Sequence, residues 1–525
     1  MATAVLPAVE SAHGDRHKWL IAVAVVLASL MQVIDTSIVN VALPKMMGEF
    51  GASIDEIAWI STGYILASVI VMPMTGWLAA YFGRKRYFAA SIVIFTVASF
   101  FCGASRSLGT LVVWRIVQGI GGGALMTTSQ AILYEVFPPD EIGTAMALFG
   151  LGVMVGPTIG PTLGGWLTDQ YSWPWIFYVN LPIGVMAASM VIVYVHDSIH
   201  HVKAKTIDYI GIGLLTAAIG ALQYLLEHGQ REDWFESHLI TTLAVVSLVC
   251  GGMLVWRELA IEEPVVDFRI LRHRETAVGT TIGIMFGVGL LGSVFILPIF
   301  LQGMLQMTPL QTGIVLMPGA MATAASMAFS GRLTNKLDAR LMIVAGTVLF
   351  FLSMIMLSHT TSASGTGDFF WALIWRGIGL GLMFVPLTNI TLATLAPREI
   401  GQGAAVSNFF RQLGGSLGIA VMATLLTHFT AEAHTVLLEH VTAYDPGSLQ
   451  RVGMIAQGFM ARGNDPATAH AMALRAIDAR ALVQANVIGF SKVYQLSGWV
   501  LLSTVPLLAF VRKTKPAARV TAASE

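Results

Sequence analysis

Asp35 lies inside the apolar run Trp19–Leu43, and Arg115 lies inside the run Leu108–Leu133. An ionisable side chain placed in hydrocarbon costs at least about 2.5 kcal/mol on insertion scales, so a residue of this kind marks function or a dedicated partner. Asp35 is the acidic residue well inside a first-half run, and an embedded carboxylate that meets each side of a membrane in turn can carry a proton across. Arginine keeps its charge at any physiological pH, so Arg115 must face water or an acid. If it approaches Asp35 in one arrangement and leaves it in another, protonation depends on conformation, as coupling requires. The competing reading is structural: Asp35 satisfied by Thr36, Ser37 or a backbone amide, and Arg115 bound to backbone carbonyls. Arg376 and Arg411, also within apolar runs, read as packing or capping residues at least as readily as polar-site groups. Asn40, Gln118 and Asn408 complete the set of candidate polar residues in the runs.

Other chemistry is thinly represented. No glycine-rich loop with a lysine cradles phosphate, so ATP is not the encoded energy source. Neither a nucleophile with its base nor a metal set is found, which argues against an enzyme and against a resident metal. His196, His200 and His201 have metal-compatible spacing but no acid or cysteine beside them. Cys102 and Cys250 read as inert packing residues. Met304, Met307, Met317, Met321 and Met327 crowd two neighbouring runs, where they are lipid-facing filler or the adaptable wall of a promiscuous site.

The elements that position these groups follow from composition. Of 525 residues 55% are hydrophobic and 11% charged, with a mean hydropathy of +0.72; a soluble domain carries about 25% charged residues. Fourteen runs are long enough to span a bilayer, the last being Val493–Val511. Lys and Arg crowd one set of loops: Arg84–Lys85–Arg86, Lys203 and Lys205, Arg269 to Arg274, Arg332 to Arg340, and the tail from Arg512. The positive-inside rule makes that face cytoplasmic and puts both termini there. The first run reads as an uncleaved signal anchor. The organisation expected is a cytoplasmic tail over 1–18, a six-helix bundle over 19–195, an inserted helix pair (spans seven and eight) with cytoplasmic loops over 196–275, a second six-helix bundle over 276–511, and a tail over 512–525. Within the second bundle, residues 429–484 form a polar, Ala-rich outer loop with a helix predicted over Pro466–Gln484. This loop is either a solvated connector or a docking surface.

The halves repeat. Gly76-Trp-Leu-Ala-Ala-Tyr-Phe-Gly83-Arg84-Lys85-Arg86 is echoed by Gly331-Arg-Leu-Thr-Asn-Lys-Leu-Asp338-Ala-Arg340, and Trp114-Arg115 by Trp375-Arg376. Matching motifs in matching order indicate a pseudosymmetric transporter with its site between the halves. Gly152, Gly156, Pro157, Gly160, Pro161, Gly164 and Gly165 in the fifth span make a helix able to pack closely and bend; this suits rocking at the interface between halves, or tight packing alone.

These motifs, with Ile34-Asp35-Thr-Ser-Ile-Val-Asn40-Val-Ala-Leu-Pro44, Trp175-Ile-Phe-Tyr-Val-Asn180-Leu-Pro182 and Asn408-Phe-Phe-Arg411-Gln-Leu-Gly414-Gly415, resemble the major facilitator superfamily over nearly the whole chain. The likeness is to its fourteen-span drug:proton antiporter branch, the EmrB/QacA type. That resemblance implies an all-α fold of two six-helix bundles plus two central helices. It further implies proton-coupled export of amphipathic toxic compounds across a bacterial inner membrane by alternating access, with no cofactor beyond the proton gradient. The long outer loop resembles EmrB-like members, which work with a periplasmic adaptor and an outer-membrane channel. In the cytoplasmic motif Gly76, Gly83, Arg84 and Lys85 match, while Ala80 stands where an aspartate is usual, so its salt-bridge network must differ. A proton-coupled nutrient importer and a docking subunit of an envelope complex are the alternatives; the glycine-proline pattern argues against the first.

Overall fold

The computed structural model describes residues 15–138, 141–196, 207–334, 336–396, 399–439, 441 and 444–511, leaving aside the helix side chains at 15, 16, 54, 55, 154, 155, 157, 158 and 309. His200, His201, Lys203, Lys205, Arg398, residues 1–14 and 512–525 and the Pro157 side chain therefore lie outside the described residues, while 15–18 of the expected first tail belong to the first helix. Among those described, every regular element is helical.

The first half contains α1 (Asp15–Phe50), α2 (Ile54–Val71), α3 (Thr75–Phe82), α4 (Arg84–Gly103), α5 (Leu108–Val136), α6 (Ile142–Gln170), α7 (Trp175–Tyr178) and α8 (Asn180–Tyr194). Pro73 lacks an N–H, and a 3₁₀ turn at Met72–Met74 divides α2 from α3 within one span. Then come α9 (Tyr209–His228) and α10 (His238–Ala260), followed by α11 (Arg274–Ile299), α12 (Pro309–Leu333), α13 (Ala339–Ser358), α14 (Thr366–Leu392), α15 (Ile400–Glu439), α16 (Pro446–Met460) and α17 (Pro466–Leu502). Thirteen stretches among the described residues are long and apolar enough to cross a membrane, and α6, with 29 residues, is the fourteenth helix of that length. The protein is a multi-pass membrane protein of two six-helix bundles and an added pair.

Helices α1, α2, α4, α5, α6 and α8 pack among themselves, as do α11, α12, α13, α14, α15 and α17. The predicted division of the last loop is redrawn. α15 runs 40 residues, well past the apolar stretch, and α17 is one helix of 37 residues that joins the loop segment to the final span. Asp465 caps α17, its carboxylate accepting from the Thr468 N–H, with Pro466 in the first turn. Between them the amphipathic α16 lays Val452 and Ala456 on Ala473, giving the projecting segment a small core of its own.

The added pair is a tight hairpin. Asp208 caps α9 through the Gly211 N–H and is gripped by the Arg257 guanidinium at 2.7–3.0 Å. That guanidinium holds the Asp208 carboxyl below the usual carboxylate range, so the clasp is present at neutral pH and is lost as pH falls through the depressed value. α9 lies over the seam between the bundles: Leu215 and Ile219 share one apolar cluster with Val69 and Met72 of the first and Val406 and Phe409 of the second.

Two repeated glycines mark where the bundles meet. A Cβ at Gly76 would lie 2.8–2.9 Å from Gln402 on α15, and one at Gly331 would lie 2.1 Å from the Gly143 carbonyl oxygen on α6. The matching residues of the two repeats thus each touch the opposite bundle, at the same end of the molecule. Gly83 follows with φ +90° and turns the chain into α4, a conformation side chains other than glycine rarely adopt. Its counterpart Asp338 instead caps α13 with its carboxylate.

Gly331→Val is expected to force α6 from α12 at this end. A cysteine placed at Ala147, which is buried beneath Gly331, should then become reactive to a water-soluble maleimide in the folded protein; unchanged labelling would mean that the contact does not depend on the missing side chain.

Candidate functional site

Asp35 and Arg115 meet. The Arg115 Nη1 donates to Asp35 Oδ2 at 2.7 Å, with exposures of 1% and 0%. The other carboxylate oxygen accepts from Gln118 Nε2 at 2.9 Å and Asn180 Nδ2 at 2.8 Å. Arg115 also donates through Nε to the Ile60 carbonyl (3.0 Å) and through Nη1 to Gln118 Oε1 (2.8 Å), while its guanidinium lies 4.3 Å from the Tyr64 ring centroid. Ser99 accepts from Asn180 and donates to the Phe177 carbonyl. Five spans converge on one carboxylate: α1 supplies it, α5 brings Arg115 and Gln118 on one face three residues apart, α2 brings Ile60 and Tyr64, α4 brings Ser99, and α8 begins at Asn180. The pair is satisfied by specific groups, the condition under which buried charges are tolerated. Neither Thr36 nor Ser37 holds Asp35; their hydroxyls return to carbonyls of their own helix, Ser37 also reaching Gly156.

The remaining polar candidates separate. Asn40 lies further along α1, is exposed, and accepts from Ser61 at 3.3 Å. Arg376, 7% exposed, is buried within the second bundle; its one hydrogen bond runs 3.5 Å to the Ser293 carbonyl, and no carboxylate pairs with it among the described residues. The repeat therefore reproduces the arginine without its acid. Asn408 donates to Gln130 Oε1 across the seam at 2.6 Å, and Arg411 donates to Asn408 Oδ1 and to the Met126 sulfur. Tyr134 donates to Asn389 nearer the same end. All these cross-bundle hydrogen bonds leave the half of α5 nearest Val136, whereas Arg115, in the other half, finds its partners in the first bundle alone.

α6 borders the opposite bundle, and its glycines are the close-packing surface that the sequence reading allows. Cβ atoms at Gly152, Gly156, Gly160 and Gly164 would fall 1.9–2.9 Å from Val26, Val33, Ser37 and Ile38 of α1. A spacing of four puts them on one face, and that face is inside the first bundle, against the helix carrying Asp35. Gly165 meets only Val41, at 3.8 Å. Pro161 lies in α6 one residue after Gly160, and the helix continues through it. Contact with α12 comes from Gly143 and Gly150, and also from Thr162, whose hydroxyl a Cβ at Gly313 would approach to 2.8 Å. In the loop motif Arg84 pairs with Glu135 on α5; with Ala80 in the usual acidic position, the partner comes from another helix.

Sequence reasoning passed over Asn180, Ser99 and Tyr64 as site residues. Asn180 was legible: an amide two residues before a proline in an otherwise apolar run. It also missed Glu227, which lies one residue past the seventh apolar run. α9 extends to His228, and Glu227 accepts from Thr62 of α2 at 2.7 Å. Seven residues on, Trp234 donates to Thr424 of α15 at 3.1 Å from a turn in which Asp233 and Trp234 both have positive φ.

Two helical bundles with repeated motifs, a buried ion pair in one and a polar seam between them, define a membrane transport protein. The chain belongs to the Major Facilitator Superfamily, whose family model matches residues 25–419. It is a transporter, not an enzyme. It is 32% identical to the fatty acid resistance protein FarB of Neisseria gonorrhoeae over 92% of this chain and 94% of that one. It is 32% identical to the multidrug export protein EmrB of Haemophilus influenzae (94% and 95% covered) and 33% identical to that of Escherichia coli K12 (83% and 87%). The human organic anion transporter MFSD10 (TETRAN) has the same fold, with a TM-score of 0.57 at 13% identity over 92% of this chain and 99% of that one.

Removing one member of a buried pair typically costs about 3–5 kcal/mol, because the other is left uncompensated. Arg115→Ala is therefore expected to lower stability more than the double variant Asp35→Ala/Arg115→Ala does. A double-mutant cycle from thermal unfolding in detergent measures this, and a coupling below about 0.5 kcal/mol would put the two residues outside direct interaction.

Proposed function

We propose that this protein is a proton-coupled exporter of amphipathic compounds in a bacterial inner membrane, working by alternating access with both termini in the cytoplasm. The observation that carries the reading is the Asp35–Arg115 pair, an acid held by a permanent cation where five spans meet. Asp35 takes a proton from the outer side, Arg115 is released from it as the helices move, and proton release inward resets the cycle. The cross-bundle contacts at Gly76, Gly331 and Tyr134 support assigning this conformation as the one closed on the cytoplasmic side. The EmrB relatives, multidrug export proteins by name, support the direction of transport, and the fatty acid resistance protein FarB supports a substrate that is amphipathic and toxic. The glycine face of α6 acts in this reading as a close bearing on α1, so a small displacement of α6 is passed to Asp35. The helical projection of α15, α16 and α17 is the docking surface for a periplasmic adaptor and, through it, an outer-membrane channel.

The test is flux in proteoliposomes under an imposed proton gradient. Wild type should move an amphiphile against its gradient, and Asp35→Asn, folded as judged by monodispersity and melting, should abolish gradient-driven flux. Full gradient-driven flux in the variant would place the proton elsewhere; no gradient-driven flux in wild type would remove antiport.

A further inference from the structure

Arg376 is an embedded cation for which the described residues supply no anion. It lies within α14, 7% exposed, and an arginine keeps its charge there. Its one hydrogen bond, from Nη1 to the Ser293 carbonyl on α11, is 3.5 Å long. Nε and Nη2 have no acceptor among the described residues, yet they are not sealed: both border space that a water molecule can enter. Within electrostatic reach of the guanidinium is Tyr494 of α17, 1% exposed, its hydroxyl buried without a partner. Nε, Nη2 and the Tyr494 O–H are thus unspent donors around one positive charge. The Ser293 hydroxyl does not help, because it donates to the Leu290 carbonyl of its own helix.

The acids of the second bundle lie elsewhere. Asp368, on the same helix, accepts from the Gly365 N–H two turns away, about 12 Å along the axis. Asp338 caps α13, Glu399 faces His273, Asp478 faces His434, and Glu432 holds Lys492 at 3.0 Å. Glu275 is in the first turn of α11, at the far end of that helix from Ser293. The first bundle shows what is missing. The repeated Trp-Arg pair makes α14 the counterpart of α5, and chain order then makes α11 the counterpart of α1 and α17 that of α8. Arg115 meets the Asp35 carboxylate from α1, to which Asn180 of α8 also donates. Around Arg376 the matching helices bring a backbone carbonyl and the Tyr494 phenol. The donors have counterparts; the carboxylate has none.

We propose that Arg376 and Tyr494 bind a small inorganic monoanion, chloride in the cell, as the counter-ion of the arginine within the second bundle. The ion accepts from Nε, Nη2 and the phenol O–H, taking the part that Asp35 plays for Arg115 and Asn180. An uncompensated charge in this interior is strongly destabilising, so an ion that neutralises it stabilises the folded protein. One positive charge matches a monovalent ion. The apolar core of this bundle, which includes Phe369, Leu373 and Phe490, favours an ion that sheds its water readily. Chloride, bromide and nitrate meet both conditions; fluoride and sulfate do not. The site is separate from the Asp35–Arg115 pair and does not depend on the direction of transport.

The test uses the full chain in detergent, purified in gluconate, with chloride as the probe at constant ionic strength. Equilibrium dialysis against radioactive chloride should find a single saturable ion per chain in wild type, displaced by bromide and not by fluoride. Wild type should also melt at a higher temperature in chloride than in gluconate, since a ligand bound by the native state alone stabilises it. Arg376→Gln removes the charge and should abolish both the bound ion and the difference in melting. Tyr494→Phe keeps the ring and should weaken chloride about threefold to tenfold, the worth of one hydrogen bond; it serves if Arg376→Gln does not fold. Chloride binding undiminished in the folded variants would overturn the assignment, as would a wild type that binds no chloride. A tyrosinate absorbance band at neutral pH that Tyr494→Phe removes would make the phenolate the counter-ion and overturn the anion site.

Discussion

Hydrocarbon offers no water to a charge or to a backbone amide, and that constraint organises this protein. Its backbone is satisfied by making every described regular element a helix. Its buried charges are satisfied one at a time and in different ways. Asp35 and Arg115 neutralise each other, and Asn180 and Gln118 both donate to the carboxylate's other oxygen. Holding those groups within about 3 Å requires five spans to keep their register, so the ion pair is also a statement about how the first bundle is assembled.

Without a hydrophobic drive between helices, contact must come from shape. The glycines of α6 meet this need against α1, and the pairing of Gly143 with Gly331 meets it between bundles. The first contact sets the distance of α6 from the helix that carries Asp35. The second closes one end of the seam. A single helix therefore touches the buried acid's support on one face and the opposite bundle on another, a geometry in which movement at the seam and the environment of the acid need not be independent.

The inserted pair adds a third tie. Glu227 reaches α2 and Trp234 reaches α15, so one short stretch of chain holds to both bundles. Two successive residues with positive φ, one of them a tryptophan, occupy a conformation that is costly for side chains of this kind. The Trp234 N–H to the Gly229 carbonyl, at 2.7 Å, and the indole bonds to Gln230 and Thr424 hold it there. The two added helices are thus more than extra spans at the edge of the molecule.

Much was readable along the chain because the bilayer imposes a length and a composition on each span. The helices, the two-bundle fold and the family follow from apolar runs and from motifs that recur in order. The importance of Asp35 and Arg115 was legible for the same reason, since a charge in an apolar run is conspicuous. Their partners were legible unevenly: Gln118 was already among the candidate polar residues and Asn180 stands two residues before a proline in an apolar run, whereas Ser99 and Tyr64 are common in spans, so only convergence in space distinguishes them. Glu227 was lost because a count of apolar residues stops at the first charge, whereas a helix stops where its hydrogen bonds do. The glycine motif was recognisable as a packing device, but a spacing of four says that a face exists and not which neighbour it meets. That Gly152 to Gly164 face α1, that Arg115 has an acid while Arg411 has none among the described residues, and that Trp234 bridges to the second bundle were decided by tertiary packing, because each depends on residues eighty or more positions apart being brought within a few ångströms.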